Sequence, residues 1–440
     1  MTNIFHRNPQ GQPPIAVGGR GIFLIDAKGN EYIDASGGAA VSCLGHGDHE
    51  VIHAIKKQAG LLAFAHTGFF SSKPAEELAD LLIEQAPPNF GKAYFVSGGS
   101  EAIEASLKLA RQYHVENGEP KRCKFIARRQ SYHGNTLGAL AIGGNQWRRE
   151  HFEPMLFDVS HISPCFAYRG QGIDETEEEY GLRVANDLEL EILKLGSDNV
   201  AAFVAETVVG ATSGAVPPVR GYFKRIREIC DEYGVLLILD EVMCGIGRTG
   251  TFFAFEQDDI APDIVAIAKG LAGGYQPIGA LLCTDNIYDT ICEGSGFFQH
   301  GHTYMGHPIA CAASLTVVKA IVERRLLDNV REVGSYFEIK LNRAFGDHPH
   351  IGDIRGRGLF RGLEIVKDRE LKQPFDPALK VNVKIKNLAL ENGMICYPMG
   401  GTIDGEKGDH ILLAPPFIVT KEDIDSIIRI LEISINSLES

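Results

Sequence analysis

Two charged residues stand directly after apolar runs of strand length: Asp240 after Val235-Leu236-Leu237-Ile238-Leu239, and Lys269 after Asp263-Ile264-Val265-Ala266-Ile267-Ala268. In an α/β protein this is the C-terminal edge of the sheet, where ligands bind. A lone lysine is more often plain surface charge, so other segments have to decide. A carboxylate at the Asp240 boundary is costly unless solvated or paired, and the pattern predicts a cationic partner for it. Further upstream, Val96-Ser97-Gly98-Gly99-Ser100-Glu101 passes from a strand into a helix. The free amides and positive helix end around Gly99 and Ser100 suit a phosphate, although the same residues also read as an ordinary capped turn. Tyr132 and His133 follow the strand-like run 124–128 in a glycine-bearing loop, where an aromatic either stacks on a planar ligand or simply packs.

These residues need a scaffold that brings them together. The chain has 440 residues, enough for two or three structural units around a large core. Strand-length runs at 93–97, 124–128, 201–206, 235–239 and 263–268 alternate with helical patterns, as at 101–114, 221–234 and much of 307–345. That alternation predicts a mostly parallel central sheet covered by helices on both faces. The glycine-rich first 60 residues carry a hairpin signal around Lys28-Gly29-Asn30. Beyond residue 330 a smaller α+β set follows: the run 351–366, a helical stretch at 376–392, short apolar runs at 394–397 and 411–414, and a final amphipathic helix from Lys421. The expected organisation is an N-terminal segment 1–60 joining a small domain, a large ligand-binding domain 61–330 and the C-terminal small domain 331–440.

Composition narrows the function. A formal net charge of −14 argues against nucleic acid or an anionic membrane surface as a partner. The amino terminus lacks the apolar run of a signal peptide and no uncharged stretch could span a bilayer, so the expected location is the cytoplasm. Nine cysteines without a CxxC pair fit reduced thiols. Gly245-Ile246-Gly247-Arg248-Thr249-Gly250 matches GxGxxG literally, but no helical pattern follows it, which argues against dinucleotide binding. His300, His302 and His307 lie in a glycine-rich stretch without a carboxylate or cysteine at ligand spacing, so no metal is expected.

Phosphate cradle, ring-stacking aromatic, strand-end acid and strand-end lysine together suit one ligand. Pyridoxal 5′-phosphate needs a lysine amine for its aldehyde and an acid for its ring nitrogen. The stretches LILDEVMCGIGRTGTFFAFE and PDIVAIAKGLAGGYQPIGA resemble the class III, or ω-type, aminotransferases of the pyridoxal-phosphate aspartate-aminotransferase fold. The likeness extends over nearly the whole chain. It implies that Lys269 is the Schiff-base lysine and proton carrier and Asp240 the partner of the pyridine nitrogen, with Val242 and Tyr132 on the two ring faces. It further implies that Gly99 and Ser100 form the phosphate turn, that His133 and Glu206 lie beside the cofactor, and that Thr303 reaches the phosphate of a neighbouring subunit. A homodimer, or a dimer of dimers, with shared active sites follows from the same resemblance.

The implied reaction moves an amino group from an amine or ω-amino acid to a keto acid; racemases, aminomutases and decarboxylases of this fold share the lysine chemistry. Relatives that use 2-oxoglutarate carry a glutamate five residues after the Glu206 position and an arginine just before the segment matching LLAPPF. Ala211 and His410 stand there, so the resemblance favours pyruvate as acceptor. The pyruvate-using branch often has an arginine before Gly408-Asp409-His410, where this chain has YPMGGTIDGEK with Lys407 as its cation. Small residues at 38–41 imply a roomy substrate pocket, and Gly98 replaces the serine usual at the start of the phosphate turn.

Overall fold

The computed structural model describes residues 2–438. Near the amino terminus, β1 (Ala16–Arg20), β2 (Phe23–Asp26) and β3 (Glu31–Asp34) form an antiparallel meander. Its second turn is set by Asp26, whose carboxylate accepts from the amides of Lys28 and Asn30, both at 2.9 Å.

Seven strands then build the central sheet: β4 (Phe90–Val96), β5 (Lys124–Arg128), β6 (Ser160–Ile162), β7 (Val200–Glu206), β8 (Leu236–Asp240), β9 (Ile264–Ile267) and β10 (Gly279–Thr284). Their spatial order is β4-β10-β9-β8-β7-β5-β6. The continuous apolar runs of β7, β8 and β9 follow from burial on both faces. On β8, Leu237 and Leu239 join a core with Val184 and Leu188 of helix Glu177–Leu195 and Ile226 and Ile229 of helix Tyr222–Tyr233. Leu236 and Ile238 face the other way, toward Ile103, Leu107 and Ala110 of helix Gly99–Glu116. Strands of alternating sidedness between two apolar layers give helices on both faces, as the sequence predicts.

Strands β5 to β9 pair in parallel, but β10 runs antiparallel to both β9 and β4. After residue 330 come β11 (Ile351–Arg357), β12 (Phe360–Ile365), β13 (Met394–Ile395), β14 (Tyr397–Gly400) and β15 (Asp409–Leu413). β13 pairs in parallel with β3, joining both ends of the chain in one sheet; the others form a sheet of order β11-β12-β15-β14. Two helical stretches are divided more finely than their periodicity suggests. The 307–345 stretch is two helices, Pro308–Glu323 and Leu326–Phe345, broken where Arg325 takes φ 52°. The 376–392 stretch is a single 3₁₀ turn, Pro377–Leu379, before helix Val381–Glu391. Among the described residues no helix is long and apolar enough to cross a membrane.

β10 also fixes the turn that opens helix Gly99–Glu116. A Cβ placed on Gly279 would lie 2.5 Å from the Gly98 carbonyl oxygen, a backbone atom with no side-chain freedom to move aside. Gly279→Ala is therefore expected to cost about 1–3 kcal/mol, the usual penalty of overpacking, read as a lower denaturant midpoint. An unchanged midpoint would show that this approach is not tight.

Candidate active site

Strand register assembles the charged groups. Glu206 pairs with Asp240 across β7 and β8, and Asp240 pairs with Ala266 across β8 and β9, so Lys269 emerges three residues further along the neighbouring strand. The three lie along one sheet edge, in the wall of a cavity of about 450 Å³. Lys269 opens the 3₁₀ turn Lys269–Leu271 with φ 47°, in the left-handed region.

Gly99, Ser100, Tyr132, His133, Glu206, Asp240, Val242 and Lys269 all line this cavity. Thr303 does not; it is exposed on its own chain. At one end is the start of helix Gly99–Glu116, oriented by Glu101, whose carboxylate accepts from the Ser97 amide at 2.7 Å. No Cβ occupies Gly98, and one placed there would have no heavy atom within 4 Å. The loop carrying Tyr132 closes tightly on this turn, since a Cβ on Gly134 would sit 2.4 Å from the Ser100 hydroxyl oxygen.

At the other end, the Asp240 carboxylate accepts from the Val242 amide at 2.9 Å and lies 2.8 Å from Nδ1 of His133. His133 is thus the polar neighbour that a buried carboxylate at this boundary needs. Glu206 accepts from the Tyr132 amide at 3.2 Å and the Gly210 amide at 3.0 Å, and its backbone carbonyl accepts from the Arg128 guanidinium. Burial raises the Glu206 carboxyl above its ordinary value. Burial also pulls the Lys269 ammonium down to about 8, against the opposing charges of Asp240 and Glu206.

The positions at which 2-oxoglutarate-using relatives carry their glutamate and arginine lie outside the cavity wall. Ala211 is buried outside the cavity wall, and His410 is enclosed, paired with the Thr402 hydroxyl at 2.7 Å and pushed down to about 3 by burial. Arg355 pairs with Asp353 and Glu364, Arg357 with Asp258, and Arg361 with Glu338. Lys407 is exposed. Val41, from the run of small residues, does line the cavity. The sequence reading did not single out Val208, Met243, Gln276, Pro277 and Ile278 as cavity residues. Their signal is proximity, since each lies within nine residues of Glu206, Asp240 or Lys269.

The model of the family described as aminotransferase class-III matches residues 6–435. The chain belongs to this family. Class III aminotransferases depend on pyridoxal phosphate, and their fold is that of the type I pyridoxal-phosphate enzymes. An aminotransferase of Schizosaccharomyces pombe is 48% identical over 435 residues, covering 99% of this chain and 95% of the relative. A diaminobutyrate–2-oxoglutarate transaminase of Halomonas elongata is 36% identical, covering 96% and 90%. Among solved structures, the ω-transaminase of Pseudomonas jessenii in complex with PMP superposes with a TM-score of 0.91 at 34% identity, covering 97% of this chain and 92% of that one.

The charge pattern makes the reactivity of Lys269 testable without substrate. Competitive labelling of the cofactor-free protein with dilute acetic anhydride should give Lys269 a titration midpoint near 8, against the ordinary 10.5 of lysine. Because Asp240 raises this value, Asp240→Asn should move the midpoint lower still. An ordinary midpoint, or an upward shift in the variant, would contradict the electrostatic arrangement.

Proposed function

We propose that the chain is a pyridoxal-phosphate-dependent aminotransferase that passes an amino group from an amine or ω-amino acid to pyruvate. The observation that carries this reading is the convergence of a helix-opening amide turn, a buried carboxylate and a desolvated lysine on one cavity. The donor set fits the cofactor: the Gly98-Gly99-Ser100 turn offers amides to a phosphate, and Asp240 offers a carboxylate to a ring nitrogen. Tyr132 and Val242 are the walls for a planar ring. When bound, pyridoxal phosphate supplies an electron sink for the carbon that bears the amine.

The chain's own groups do the rest. With the cofactor bound, Lys269 would hold its aldehyde group, and as a free amine of lowered basicity its Nζ would carry a proton from the amine-bearing substrate carbon to the cofactor's former aldehyde carbon. Asp240, steadied by the Val242 amide and His133, keeps charge beside the ring position that must stay protonated. Glu206 fixes the Tyr132 backbone. A second copy of the chain would supply Thr303 to the phosphate. Supporting this dimer, the region around Thr303 leaves apolar side chains uncovered, with Phe69 82% and Tyr304 63% exposed and Tyr304 edge-on to Phe64.

Pyruvate is favoured because Lys269 and His133 are the cavity wall's only basic side chains among the described residues; His133 faces Asp240, and Lys269 is assigned to the cofactor. A second carboxylate buried there without a partner would cost several kcal/mol. The 2-oxoglutarate-using relative from Halomonas makes that keto acid the alternative to test.

Borohydride reduction of the cofactor-loaded protein, followed by peptide mapping, should place the pyridoxyl group on Lys269; a label elsewhere removes the assignment. In stopped-flow reoxidation of the pyridoxamine form, pyruvate should be at least ~10-fold more efficient than 2-oxoglutarate, a gap of about 1.4 kcal/mol. Equal or reversed efficiencies would assign the other acceptor.

A further inference from the structure

The cavity wall holds a cofactor-sized set of polar groups but no free cation for a substrate carboxylate. One stands immediately beside it. Arg148 belongs to the short helix Gln146–Arg149, and its guanidinium carbon lies 4.5 Å from the centre of the Tyr132 ring and 5.7 Å from that of Trp147. It is half-buried, and no carboxylate among the described residues pairs with it. Neighbouring arginines are committed: Arg149 donates to the carbonyls of Leu140, Ala141 and Gly143, Arg169 pairs with Glu364 and Arg183 with Glu175. Stacking on an aromatic face leaves the planar donor fork of a guanidinium open for a carboxylate.

Two further observations place Arg148 within reach of the chemistry. Its charge acts on both Lys269 and Tyr132, and Arg7 adds positive potential at Tyr132. The 401–408 loop, where Lys407 points to solvent, packs on the same turn: a Cβ on Gly405 would lie 3.0 Å from the Trp147 nitrogen.

The geometry points to Arg148 as the anchor for a substrate monocarboxylate, carried either by an ω-amino acid donor or by the keto acid. This assignment rests on the aminotransferase reading and adds a specificity-determining residue to it. One arginine serves one carboxylate, which agrees with a single-carboxylate acceptor.

Trp147 is the chain's single tryptophan, so its fluorescence reports on this turn without any turnover. Titration of the cofactor-loaded enzyme with pentanoate, an unreactive carboxylate, should give a saturable signal that the neutral pentanamide does not. Arg148→Gln should weaken pentanoate by at least ~10-fold and Arg148→Lys should recover part of the loss, since a point charge replaces a bidentate fork. Equal affinity in Arg148→Gln, or an equal response to pentanamide, overturns the assignment. Half-reactions then identify the source of the carboxylate, using the efficiency ratios of 6-aminohexanoate to hexylamine and of pyruvate to butanal. A ratio lowered at least ~10-fold in Arg148→Gln names the donor or the acceptor; two unchanged ratios overturn the anchor. If the wild type converts none of these compounds, the aminotransferase reading fails, and the pentanoate titration still decides the role of Arg148.

Discussion

A slip of one residue between β8 and β9 would carry every side chain of β9 to the opposite face of the sheet and withdraw Lys269 from Asp240. The observed register, with Asp240 opposite Ala266, is held by apolar side chains on both faces rather than by the charges it aligns. Val265 and Ile267 lock into one core layer, and Ile264 and Ala266 into the other. The backbone pairing continues one step past the strand, where the Glu241 amide donates to the Ala266 carbonyl at 2.8 Å. Packing remote from the cavity therefore sets the geometry inside it.

That arrangement concentrates ionisable groups where water is scarce, and its carboxylates are stabilised by polar groups held in place. Asp240 has the Val242 amide and His133; Glu206 has the amides of Tyr132 and Gly210. Glu241, next to Asp240 but turned into the core, takes the Thr207 hydroxyl and the amides of Ala254 and Phe255, and burial pushes its carboxyl up to about 8. A protonated Glu241 can sit in this core as a neutral hydrogen-bonding group at modest cost. It anchors the segment that follows the β8 terminus, so the direction in which Asp240 leaves the strand is set from beneath.

Much of this architecture was legible in the residues. The run 124–128 coincides with β5, and the ends of β7 and β8 fall on Glu206 and Asp240, because fully buried strands are continuous apolar runs that end at their first charge. The direction of β10 was not legible: six small and apolar residues carry no mark of parallel or antiparallel pairing, and only the short connection from Lys269 constrains it. The break at Arg325 was hidden because the apolar periodicity resumes at once on its far side. Within the site, motif residues were visible because each sits at a strand end. The pairing of His133 with Asp240 joins positions 107 apart in sequence, and Arg148 lies in a four-residue helix without periodicity; neither leaves a local pattern.

The left-handed backbone of Lys269 sets this chain's tolerance to change. A residue with a Cβ held at φ 47° stores roughly 1–2 kcal/mol of steric energy that glycine would release. Selection for a hardier fold alone would accept glycine at 269, at the very position to which we assign the reactive amine. Under the role proposed for Lys269, thermal robustness and chemical competence pull this codon in opposite directions.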